Sequence, residues 1–163
     1  GQNFGARQAH RVRDTFRSAA LMASSLMFVS ALLAHVAAEA TVRVFSKDPA
    51  VIATGTEYLK IISWNFIASG IVFVSSSMFQ AMGNTIPSLI ASAVRIVIGV
   101  VPAVVLSRLP GFKLSWMWYL AVTSVTIQMI LSLSMLRVVM RQRLAFATPP
   151  TAPAVAPAPE PVA

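Results

Sequence analysis

Apolar residues in this chain run in long blocks, and polar and basic residues gather in the gaps between them. A helix needs about 20 apolar residues to cross a bilayer. Four blocks reach that length: 18–38, 61–82, 86–107 and 114–136. None shows the two-residue alternation of a barrel strand. The pattern predicts an all-α fold, a polytopic transmembrane helix bundle of four spans within residues 18–143. A loop (1–17) is expected before it and a tail (144–163) after it. Asp48-Pro49 reads as an N-cap followed by proline at the first helical position. The helix of the second span is therefore expected to start near Pro49, lie partly in the interface and enter the bilayer near Ile61. Gly83 and Asn84 suit a tight turn, which makes the second and third spans an antiparallel hairpin. From Ala147 the chain reads ATPPTAPAVAPAPEPVA, with six of its ten prolines, and is expected to be a disordered or polyproline-like extension.

Composition sharpens this picture. The 163 residues are 56% hydrophobic and 11% charged, against about 25% charged in soluble domains. The net charge of +8 could suggest nucleic acid, but the basic residues cluster at the ends of the apolar blocks, so no nucleic-acid partner is expected. Arg7, Arg11, Arg13 and Arg17 precede the first span, and Arg137, Arg141 and Arg143 follow the last. The intervening outer loops hold Arg43, Lys47, Lys60, Arg108 and Lys113, offset by Glu39, Asp48 and Glu57. Counting Lys and Arg in the flanks puts both ends of the chain, the 1–17 loop and the 144–163 Pro/Ala-rich tail, in the cytoplasm. Tyr58, Trp64, Trp116, Trp118 and Tyr119 then fall at the outer surface, as an interfacial belt or as packing between helices.

Chemistry for catalysis is missing. The chain has no cysteine, which excludes disulfides and thiolate sites. His10 and His35 lie on opposite sides by this topology, and no carboxylate pair or nucleophile–base pair is visible. No enzyme activity, metal or cofactor is expected. The chain opens on GQNFGARQ, without Met, and a longer protein that has lost its front is expected.

Within the spans, polar residues form stripes. Asn65, Ser69, Ser76 and Gln80 recur at helical spacing in the second span. Ser88, Ser92, Arg95, Gly99 and Pro102 share a face of the third, and Ser124, Gln128 and Ser132 a face of the fourth. Ser30, Ala34 and Ala38 make a small-residue seam in the first. Polar groups gain no partners from lipid, so these faces should meet other helices or a water-filled cavity. Helix packing suits the Ser and Ala seams. For Asn65, Ser69 and Gln128, packing and a substrate pathway both fit. Arg95 is the sharpest case, because an arginine at mid-helix costs about 2.5–3.5 kcal/mol on insertion scales. Capping carbonyls, binding a lipid head group, holding the hairpin or serving a transport cycle would each account for it. Pro102 frees a backbone carbonyl and is expected to bend the outer half of its helix.

GQNFGARQAHRVRDT at 1–15, FSKDP at 45–49, FQAMGNTIPSL at 79–89, then Arg95 and Pro102, resemble the multidrug and toxic compound extrusion (MATE) transporters in order and spacing over about residues 1–143. The resemblance implies twelve helices in two six-helix lobes, with this chain supplying the last four, part of the C-terminal lobe. It implies export of cationic or amphipathic small molecules by antiport with sodium or protons from a bacterial-type inner membrane. The partners would be the bilayer, the missing N-terminal helices and the substrate. It implies structural or gating roles for Gly1, Gln2, Gly5 and Ala6, for Gln80, Gly83, Asn84 and Pro87, and for Arg95 and Pro102. Some sodium-coupled members carry an acid in the helix matching the second span. This chain has Asn65 and Ser69 there, so the coupling-ion site is expected outside it. Two rival readings are a lipid or polysaccharide flippase of the same superfamily and a small membrane scaffold complete at 17.4 kDa.

Overall fold

The computed structural model describes residues 1–146, and the proline-rich segment from Ala147 lies outside them. The described chain is all-helical: α1 (Gln2–Gly5), α2 (Ala9–Val36), α3 (Ala38–Phe45), α4 (Pro49–Ile62), α5 (Asn65–Ala81), α6 (Ile86–Ser107) and α7 (Leu114–Arg143). Three helices, α2, α6 and α7, are long and apolar enough to cross a membrane. The pair α4 and α5, bent by 43° at its break, makes a fourth span if it counts as one. The 17 residues of α5 rise only about 26 Å, short of a hydrocarbon layer of about 30 Å, so α4 must complete it. The protein is a multi-pass membrane bundle.

Several boundaries differ from the sequence expectation. Residues 9–17, expected in a loop, are the first turns of α2. Val12 and Phe16 supply an apolar stripe there that packs onto the ends of α5 and α7. Residues 39–45, expected to be a loop, fall in α3. Its polar face carries the i,i+4 pair Arg43–Glu39, with Nη2 to Oε1 at 2.6 Å. Gly55 of α4 packs against it, and a Cβ there would meet Val42 at 3.0 Å. The first residues of the expected tail are also ordered against the bundle. Leu144 is buried and Phe146 stacks near Phe4, with ring centroids 5.8 Å apart. Pro102 does not interrupt α6, which runs continuously from Ile86 to Ser107.

Asp48 caps α4 as its sequence suggests. Its carboxylate accepts from the backbone N–H of Ala50 at 2.8 Å and Val51 at 3.5 Å. The break between α4 and α5 has a local cause. The Lys60 carbonyl accepts from the Ser63 hydroxyl at 3.0 Å and lies 3.2 Å from His35 Nδ1 of α2, so side chains take over part of the backbone ladder.

The core sits at one end. Val12, Met78, Phe79, Met82, Leu136, Val139 and Leu144 are buried together, with Phe4 and Phe16 against them. This cluster ties α1 and the start of α2 to the ends of α5 and α7, so the two ends of the described chain meet at one end of the bundle. The seven flanking arginines, Arg7, Arg11, Arg13, Arg17, Arg137, Arg141 and Arg143, follow them there. α5 lies between α2 and α7, while the main neighbour of α6 is α7. α5 and α6 form an antiparallel hairpin that closes only near its turn, where Ser76 Oγ lies 2.7 Å from Ser88 Oγ.

Candidate functional site

The polar stripes of α6 and α7 come together. Ser124, Gln128 and Ser132 are all buried. Gly99 faces Ser124 across this contact: a Cβ on it would lie 3.8 Å from Ser124 Oγ, an ordinary contact distance. Ser124 donates to the carbonyls of Leu120 at 2.9 Å and Ala121 at 3.0 Å, which satisfies it within its own helix. Gln128 reaches across, donating from Nε2 to Ser92 Oγ at 3.4 Å. Its Oε1 is buried with no partner among the described residues. Exchanging the amide oxygen and nitrogen would leave the nitrogen unpartnered instead, so the side chain stays half-satisfied in either orientation.

Beside this pair the two helices part into an open groove lined by Ser92, Arg95, Gly99, Ala121, Ser124 and Gln128. Arg95 is exposed on its wall. Among the described residues its guanidinium makes no hydrogen bond or ion pair; the two ion pairs present are His10–Asp14 and Arg43–Glu39. The side-chain hydrogen bond between α5 and α6 is Ser76–Ser88, and Arg95 makes none to α5 among the described residues. The groove's polar groups are the Arg95 guanidinium, with up to five N–H donors, the Ser92 hydroxyl and the Gln128 amide; there is no acid, and Ile96, Val100, Met117 and Leu120 make much of the rest of the lining. It can bind hydrogen-bond acceptors and anions.

The other expected positions lie elsewhere. Asn65 opens α5 beside the helix break and is buried, with Oδ1 unpartnered among the described residues. Ser69 and Gln80 are exposed, so the stripe read along α5 does not form one packed face. Its buried hydroxyl is Ser75, which donates to the Ile71 carbonyl at 2.8 Å. Gly1, Gln2, Gly5 and Ala6 make up the exposed α1 turn. Gly83 and Asn84 close α5, Pro87 is buried in the first turn of α6, and Pro102 is half-buried further along.

Both turns at this end use the same device. The N–H of Asn84 bonds the Phe79 carbonyl at 3.0 Å and that of Gly83 the Gln80 carbonyl at 2.9 Å. The N–H of Gln8 bonds the Asn3 carbonyl and that of Arg7 the Phe4 carbonyl, each at 3.0 Å. These are Schellman caps with a left-handed residue at φ +69 (Gly83) and +56 (Arg7).

Sequence reasoning missed Gly70. A Cβ on it would lie 2.9 Å from Met27 Cγ, which marks the closest approach of α2 and α5. A glycine inside an apolar span was the signal available.

The aromatics divide between the two roles foreseen for them. Trp118 is buried against Tyr58 with ring centroids 5.6 Å apart, whereas Trp64 and Tyr119 face outward. Among the described residues no group of three or more His, Asp or Glu side chains is placed to hold a metal ion.

A family model described as MatE matches residues 1–105, which takes in α1 to α5 and most of α6. No curated protein and no solved structure matches the chain.

Proposed function

This chain belongs to the MatE family, and from that premise we propose that it forms the last four membrane spans of a twelve-helix efflux transporter. The transporter exports cationic or amphipathic small molecules by antiport with sodium or protons across a bacterial-type inner membrane. The observation that carries this reading is the family match over residues 1–105. The bundle is consistent with it: α6 and α7 present a groove, mostly apolar but with Arg95 in its wall, that opens sideways instead of closing into a core. In this reading both ends of the chain face the cytoplasm, where seven flanking arginines favour them. The acids of the chain are Asp14, Glu39, Asp48, Glu57 and Glu160, and none lies in α5, α6 or α7. In this reading the coupling carboxylate comes from the rest of the transporter, as the family resemblance implies.

The test is transport by the native gene product in an efflux-deficient bacterial host. The reading expects lower accumulation of a fluorescent cation such as ethidium, restored to the control level when the coupling gradient is collapsed. Collapsing the sodium and proton gradients separately assigns the ion. Unchanged accumulation of a panel of cationic dyes, with the protein present in the membrane, would sink the reading.

A further inference from the structure

Arg95 lies about 13 Å along α6 from Ile86 and about 18 Å from Ser107 at 1.5 Å per residue. That places its guanidinium near the middle of a hydrocarbon layer about 30 Å thick. A charge at this depth is held by a partner, by water or by reaching an interface. Among the described residues it has no partner. We propose that the α6–α7 groove seats a transmembrane helix from outside this chain, and that this helix carries an aspartate or glutamate at mid-depth that pairs with Arg95.

Three features of the groove select this occupant. Its charge is positive and unopposed, so the complement is an acid. Because α5, α6 and α7 contain no Asp or Glu, a second copy of these helices cannot supply one at that depth. Its floor is small: Ser92, Gly99, Ala121 and Ser124 let a third backbone approach closely, as at packed helix interfaces. Its lining is mixed, with Ile96, Val100, Met117 and Leu120 beside Ser92, Arg95 and Gln128, as suits the side chains of a membrane helix. Gln128, 4% exposed, closes the inner side of the groove. Lipid phosphates lie about 15 Å away, at the edge of the hydrocarbon layer. The exposed rim residues Ile96 and Val100 match the apolar flanks of a membrane helix.

This inference rests on the chain spanning a membrane. It draws on the efflux reading only in expecting a longer transporter to supply the helix from its own remaining spans. The test reads a covalent contact and protein abundance, not export, so the two readings fail separately.

A photoreactive benzoylphenylalanine is placed at Ile96, and in a second variant at Val100, of the native protein in its own membrane. Cross-linked peptides are then mapped by mass spectrometry. The expected product is a peptide from one transmembrane segment with an Asp or Glu within one helical turn of the linked position. Charge exchange completes the test. Arg95→Glu and the acid's change to Arg should each lower membrane-integrated protein about fivefold, because either leaves an uncompensated charge at mid-depth. The double exchange should return it to within about twofold of the parent, the signature of a coupled pair. Cross-links to lipid alone, cross-links to a segment without an acid, or a double exchange that fails to rescue would each overturn the proposal. So would Arg95→Glu protein that stays abundant and loses only substrate binding, which would make the occupant a substrate carboxylate.

Discussion

Gly83 and Arg7 hold the same left-handed backbone conformation at the same end of the bundle, yet only one is glycine. A Cβ in that conformation costs roughly 1–2 kcal/mol. Nothing lies within 4 Å of a Cβ built on Gly83, so the penalty of Gly83→Ala is purely conformational. We expect Gly83→Ala to lose about 1 kcal/mol and Arg7→Gly to gain a similar amount, from relief of the same strain. Reversible unfolding in mixed detergent micelles measures both, and a neutral Gly83→Ala would contradict the assignment. At this scale the sequence is legible where side chains cannot satisfy themselves. Gln128 has no route back to its own helix, and its stripe with Ser124 and Ser132 is buried, as its spacing suggested. Serine is different, because its hydroxyl can bond the carbonyl four residues back. Ser75 does so while buried and Ser77 while exposed. Polarity therefore does not dictate which face of α5 packs, and Ser69 and Gln80 point away from the described helices.

At the scale of elements, length and hydropathy carry α2, α6 and α7, since twenty apolar residues have few other homes. They carry the fourth span only in part. Asp48 and Pro49 mark the start of α4, but at the break near Ser63 and Trp64 the Lys60 carbonyl is met by His35, a residue 25 positions away that no local pattern connects. α3 was hidden because its charges read as a solvated loop, although Arg43 and Glu39 are one helical turn apart. The short turn at Gly83 implies that α5 and α6 are close neighbours, whereas α6 packs mainly on α7. Chain adjacency sets where two helices meet, and side-chain size sets which ones stay together. Gly70 shows the second rule. Gly70→Leu should push α2 from α5 through Met27, at a cost of about 1–3 kcal/mol. Adding Met27→Ala should recover most of the loss, since it empties the space that the leucine needs. Unfolding of the single and double variants decides it, and additive losses would place the crossing elsewhere.

At the scale of the molecule, this bundle is cored at one end and open along one side. The buried cluster ties α1, α2, α5 and α7 together, while α6 touches little besides α7 and leaves Ile96, Val97, Val100, Val101, Val104 and Val105 exposed. Some of that face meets lipid. The Arg95 charge in the α6–α7 groove does not suit lipid, and it is what the proposed partner helix would answer. The groove itself was half-legible in the sequence. The stripes on α6 and α7 were visible, but that they face each other is a property of the packing.

The account stands on the chain being part of a larger transporter, and the mass of the native product tests that most directly. An antibody raised against residues 147–163, used on membranes of the source cells, reads it in one step. The chain of 17.4 kDa holds three spans, or four if α4 and α5 count as one, so a twelve-span protein should run at about three times that mass. A band of that size is the predicted result. A single band near 17.4 kDa would contradict the account and favour a small membrane protein that works without further helices.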